Sequence, residues 1–172
     1  MKKLFFPVTA VVILTAASFF LYLNHNKLDV VPEISLNIID GRKIELHSLL
    51  GKPLLVTFWA TTCATCIKEM PHLIELYDEL GQEELEIIAI AMSYDPPNRV
   101  IELSKRKNIP YPVALDIDGN AAKAFGDVQV TPSSFLIDAN GNIVQQKSGV
   151  IDIKALRTKV KALLKTTSTT VS

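Results

Sequence analysis

Cysteine is scarce in this chain: of 172 residues two are cysteine, and only three are histidine and one tryptophan. Two cysteines cannot build the disulfide framework that holds small secreted domains together, so the fold must rest on a hydrophobic core. The length suits one domain with one sizeable core and leaves no room for a second. Neither sign of charge is in excess, with 18 basic against 18 acidic residues. That balance gives no basic footprint for nucleic acid and no acidic tail. Met-rich stretches, His-rich stretches and internal repeats are all missing.

Only one apolar run is long. Leu4 to Leu23 contains no charged residue and, at helical rise, reaches across a hydrocarbon core. Met1-Lys2-Lys3 precedes it, which favours a cytoplasmic N-terminus with the rest of the chain carried outside the membrane. Small residues at Thr15-Ala16-Ala17-Ser18 would suit signal cleavage, leaving a protein released to the periplasm. Apolarity continues through Phe19-Phe20-Leu21-Tyr22-Leu23, however, so the expectation is an uncleaved single-span anchor in the cytoplasmic membrane. With no cysteine near this run, a lipoprotein anchor is excluded. The organisation expected is therefore residues 1–3 cytoplasmic, 4–23 anchor or signal, 24–31 linker, 32–165 folded domain and 166–172 a disordered Ser/Thr-rich tail.

Both cysteines fall in Phe58-Trp59-Ala60-Thr61-Thr62-Cys63-Ala64-Thr65-Cys66-Ile67-Lys68-Glu69-Met70-Pro71. The preceding Leu54-Leu55-Val56-Thr57-Phe58-Trp59 is β-branched and aromatic, as a buried strand is. After it, Cys66, Ile67, Met70, Leu73, Ile74, Leu76, Tyr77 and Leu80 recur at helical steps, with Gly81 as a stop. Cys63 thus stands where a strand passes into a helix, and the unpaired amides and dipole there favour a thiolate. Cys66, one turn on, is close enough to form a disulfide with it, giving a pair that can cycle between dithiol and disulfide.

Trp59-Ala60-x-x-Cys63-x-x-Cys66 with Pro71 resembles the active site of the thioredoxin superfamily. Residues 32–165 as a whole resemble its membrane-anchored TlpA/ResA-like branch of thiol-disulfide oxidoreductases. The branch is indicated by Glu69, by an inserted segment from about Asp95 to Phe125, and by Thr131-Pro132-Ser133-Ser134-Phe135-Leu136-Ile137-Asp138. The resemblance implies an α/β thioredoxin-like fold: a central mixed β-sheet flanked by helices, with an N-terminal β-hairpin extension and a βα-type insertion. It also implies that the Thr131–Pro132 bond is cis and faces the disulfide.

The remaining elements fit that plan. Ile34, Leu36 and Ile38, then Asp40-Gly41, then Ile44 and Leu46 suggest a hairpin covering a sheet edge. Leu85 to Met92 is nearly all apolar, as in a central parallel strand. Asn98 to Lys107 has helical spacing, Pro110 to Asp116 resembles a short strand, and Ala121 to Phe125 a short helix; this alternation argues for βαβ units. Ser133–Ile137, the turn Asp138-Ala139-Asn140-Gly141 and Asn142–Ser148 form a second hairpin with Asn-Gly as its turn signal, and Asp152 to Leu164 is a closing amphipathic helix.

The resemblance assigns Cys63 as nucleophile, Cys66 as resolving thiol and Glu69 as a proton-handling carboxylate near them. Against this stands a solvated Glu69 paired with Lys68 or Lys105. Trp59 is read as a wall of the cleft, Thr131 as a hydroxyl near Cys63, and Pro132 as main chain that pairs with an extended substrate. Pro71 should kink the helix. Thr57 and Thr62 stand where thioredoxin itself carries a buried acid and a second Trp.

The implied function is an extracytoplasmic reductase of client disulfides, of the cytochrome c maturation or oxidase metal-site assembly type. It would be kept reduced by a transmembrane electron donor and need no cofactor beyond the pair. The same residues permit a dithiol oxidase or isomerase, since Ala64-Thr65 does not assign direction, and a copper or haem chaperone. A zinc site is disfavoured because His25, His47 and His72 form no second ligand pair. A peroxidase lacks an activating Arg between Phe58 and Pro71.

Overall fold

The structure, a computed structural model, describes Thr15 and residues 29–170, with side chains through Thr166. The anchor expected over Leu4–Leu23 lies outside the described residues apart from Thr15; among the described residues no helix is long and apolar enough to cross a membrane.

The strands are β1 (Ser35–Ile38), β2 (Lys43–Glu45), β3 (Leu54–Trp59), β4 (Glu86–Ala91), β5 (Val113–Leu115), β6 (Ser133–Ile137) and β7 (Ile143–Ser148). The helices are α1 (Ala64–Glu84), α2 (Pro97–Arg106), α3 (Asn120–Ala124) and α4 (Ile153–Thr170), with a 3-10 turn at Leu46–Leu49. All seven strands form one sheet in the order β2-β1-β5-β4-β3-β6-β7. β3, β4 and β5 run parallel, while β1 and β6 pair antiparallel on either side of them. This is the mixed sheet expected, and the first hairpin covers the β5 edge as anticipated.

Period-two alternation divides the central strands between two cores. Leu55 and Trp59 of β3 and Ile87 and Ala89 of β4 face a cluster with Met70, Leu73 and Leu76 of α1, Val100 of α2, and Leu156 and Val160 of α4. Leu54, Val56, Phe58, Ile88 and Ile90 face the other way, toward Leu46, α3 and the first hairpin. There Phe58, Phe125 and Phe135 pack as an aromatic trio with ring centroids 4.8–6.0 Å apart. Phe125 ends the inserted segment, so the insertion is locked into the core.

Three expectations are corrected. The linker does not extend to residue 31: the Val31 amide donates to Gly141 O, Ile143 N donates to Asp29 O, and Val31 is buried, so the domain begins by residue 29. The closing helix does not stop at Leu164, and α4 runs on to Thr170 through the segment expected to be a disordered tail. In α1 the non-helical dihedrals fall at Gly81 (φ 70°, ψ 167°), where the stop was expected, whereas Pro71 keeps helical dihedrals. The turn expected over residues 138–141 is the loop that joins β6 to β7. Asp138 organises that loop by accepting hydrogen bonds from the amides of Asn140 and Asn142.

Candidate active site

Register places the site. β3 ends at Trp59, level with Ala91 at the end of β4, and Phe58 pairs with Ser133 at the start of β6. The chain leaving β3 and the chain entering β6 therefore meet at the carboxyl end of the parallel strands, where ligands of α/β sheets are usually bound.

Cys63 is the N-cap of α1, in extended conformation (φ −84°, ψ 99°), and its sulfur accepts from Cys66 N at 3.2 Å. The two cysteines form a disulfide with Cα atoms 5.3 Å apart. Their environments differ: Cys66 is 4% exposed, while Cys63 is only half-buried. An incoming sulfur can reach Cys63 and not Cys66. The hydroxyl within range of the Cys63 sulfur is that of Thr65, at 3.3 Å. Thr131, expected in that role, makes no hydrogen bond to Cys63. The Thr131–Pro132 bond is cis, Pro132 is buried, and its carbonyl accepts from Gly149 N at 2.7 Å.

Glu69 is not a solvated surface carboxylate. It is 5% exposed and its Oε1 accepts from Ile151 N at 2.6 Å. Burial pushes its carboxyl above the ordinary value of 4.5, opposed by the Ile151 amide and by His72. It shares a small recess with Trp59, Cys66, Tyr111 and Pro132. The Tyr111 hydroxyl is driven upward by burial and then by the Glu69 charge. Trp59 is buried as a wall of this recess, and its indole Nε1–H has no partner among the described residues. Thr57, also lining the recess, accepts from Ser134 Oγ at 3.1 Å, so two hydroxyls satisfy each other beneath the disulfide.

Sequence reasoning missed the group that holds the loop in place. Asp95, 4% exposed, accepts from Thr61 N at 2.5 Å and Thr61 Oγ1 at 2.6 Å, tying the insertion to the active-site loop. An acid just past the carboxyl end of a central strand was the available signal. The roles of Tyr111 and of the Ile151 amide had no local signature. Among the described residues no cluster of His, Cys, Asp and Glu could hold a metal.

The family model for Redoxin matches residues 27–164. The chain belongs to the Redoxin family. Within it, the chain is 35% identical to thiol-disulfide oxidoreductase ResA of Bacillus cereus (strain ATCC 10987 / NRS 248) over 156 residues, covering 86% of this chain and 89% of that relative. Among solved structures it is similar to a putative thioredoxin from Neisseria meningitidis (29% identity, TM-score 0.74, 81% of this chain and 92% of that one). It is also similar to MTB dsbF, with 28% identity, TM-score 0.69, and 77% of this chain and 98% of that one covered. This Redoxin-family chain is thus a ResA-like thiol-disulfide oxidoreductase of thioredoxin-like fold, and its chemistry resides in a cysteine pair.

Proposed function

We propose that the chain is a reductase of client-protein disulfides, tethered by Leu4–Leu23 with the catalytic domain outside the cytoplasmic membrane. A Cys63 thiolate attacks one sulfur of a client disulfide. The client S–S bond breaks, a mixed disulfide forms, and the departing client sulfur takes up a proton. Cys66 then loses its proton to Glu69, attacks the Cys63 sulfur and releases the second client thiol. Two electrons pass to the client, the Cys63–Cys66 disulfide closes, and a transmembrane dithiol donor reopens it. Trp59 and Pro132 wall the cleft, and the main chain at Thr131–Pro132 pairs with the extended client.

The observation that carries this reading is the buried Glu69 in the recess behind Cys66. A carboxylate there disfavours a neighbouring thiolate, so the reduced pair gains little from ionisation and gives up its electrons readily. Clients of the kind implied by the resemblance are apocytochrome c awaiting haem, or cysteines of an oxidase copper site.

The test is the reduction potential of the pair in the full chain, read from Trp59 fluorescence in thiol buffers. A value near or below roughly −270 mV supports a reductant. A value toward roughly −120 mV overturns the polarity and makes the protein a dithiol oxidase.

A further inference from the structure

The redox chemistry leaves unused a groove of about 390 Å³ beside the active-site loop. Thr61, Thr62 and Ile67 form one wall, and Arg99, Glu102 and Arg106 of α2 form the other. Thr62 directly precedes Cys63, so a chain bound with its cysteine at the reactive sulfur lays its neighbouring side chains at the groove mouth.

The charges in the groove are not balanced. Glu102 is taken by Arg106 at 3.1 Å. Asp95, the nearest acid before α2 in the chain, is buried and committed to Thr61. Arg99 is exposed and pairs with no carboxylate among the described residues. It also stands in the first turn of α2, which contains no acidic residue, where a cation opposes the helix dipole. The stability of α2 therefore does not account for it. Its planar fork is suited to a carboxylate.

We propose that this groove binds an acidic residue of the client polypeptide adjacent to its reacting cysteine, with Arg99 as the group that selects it. The proposal rests on the oxidoreductase reading above and adds a substrate class to it. A rim cation acts mainly through the association rate and is screened by salt.

The test uses the reduced full chain and two peptides, each carrying one cysteine as a mixed disulfide with 2-mercaptoethanol. The peptides are matched except for Glu or Lys on both sides of the cysteine, and oxidation is followed by Trp59 fluorescence. The Glu peptide should react about 3- to 10-fold faster at low ionic strength, with the ratio falling toward one as salt is added. Arg99→Glu should invert the ratio and Arg99→Lys should retain part of it. Lys43→Glu, the same charge change on β2 at the far edge of the sheet, should leave the ratio as it was. Because a ratio is read, a general loss of activity in a variant cancels. Equal rates for the two peptides, a preference that survives Arg99→Glu, or one lost equally in Lys43→Glu would overturn the proposal. A chain inert toward both peptides and toward hydroxyethyl disulfide would instead bring down the redox reading itself.

Discussion

At the scale of single side chains, Cys63 and Cys66 differ in access, and access decides which sulfur a client meets. Cys66→Ser should leave a reachable Cys63 that accumulates a mixed disulfide, visible as a mass adduct. Cys63→Ser should form about tenfold less or none, because Cys66 is 4% exposed. Glu69 sets a pH dependence. Its carboxyl titrates higher folded than unfolded, so between those values the folded chain holds the extra proton. Stability from this group is therefore full below about 4.5 and is lost as pH rises through the raised folded value. Glu69→Gln keeps an oxygen to accept from the Ile151 amide and removes the titration. Urea unfolding across that window should show a fall for the native chain and a flatter profile for the variant.

At the scale of elements, the active-site loop depends on the insertion as much as on α1. Asp95 reaches Thr61 across 34 positions of sequence, and both hydrogen bonds end on its buried side-chain oxygens. Asp95→Ala should lower unfolding free energy by about 1.5–3 kcal/mol by denaturant titration, and should also change the alkylation rate of Cys63 in the reduced chain. Loss of stability with no change in that rate would make Asp95 a structural tie only. The strand–helix handover at Cys63 was legible in the sequence because apolar periodicity changes there from a continuous run to helical steps. The partner of the loop was not, because the hydrogen bonds that hold it join segments with no shared pattern.

Across the whole molecule, the chain closes on itself at a seam where Asp29–Val31 pairs with the loop before β7. Gly141 sits in that seam with φ +92°, and an added Cβ would lie 3.2 Å from Val31 Cγ1 and Leu50 Cδ1. Gly141→Ala should cost at least about 1 kcal/mol, read as a lowered denaturant midpoint. A midpoint unchanged from the native chain would show that the seam yields without cost.

The sequence by itself determined the redox pair, the strand that delivers it, the helix that caps it, both hairpins and the insertion, since each is written in local spacing or hydrophobic period. Tertiary structure alone decided that Cys63 is reachable and Cys66 is not. It also decided that the Thr65 hydroxyl lies within hydrogen-bonding distance of the Cys63 sulfur, and that Glu69 is buried against the Ile151 amide 82 positions away. The physical reason is that burial and hydrogen-bond partnership belong to the space between elements. Seven strands assembled out of sequence order create contacts that no single stretch of residues encodes.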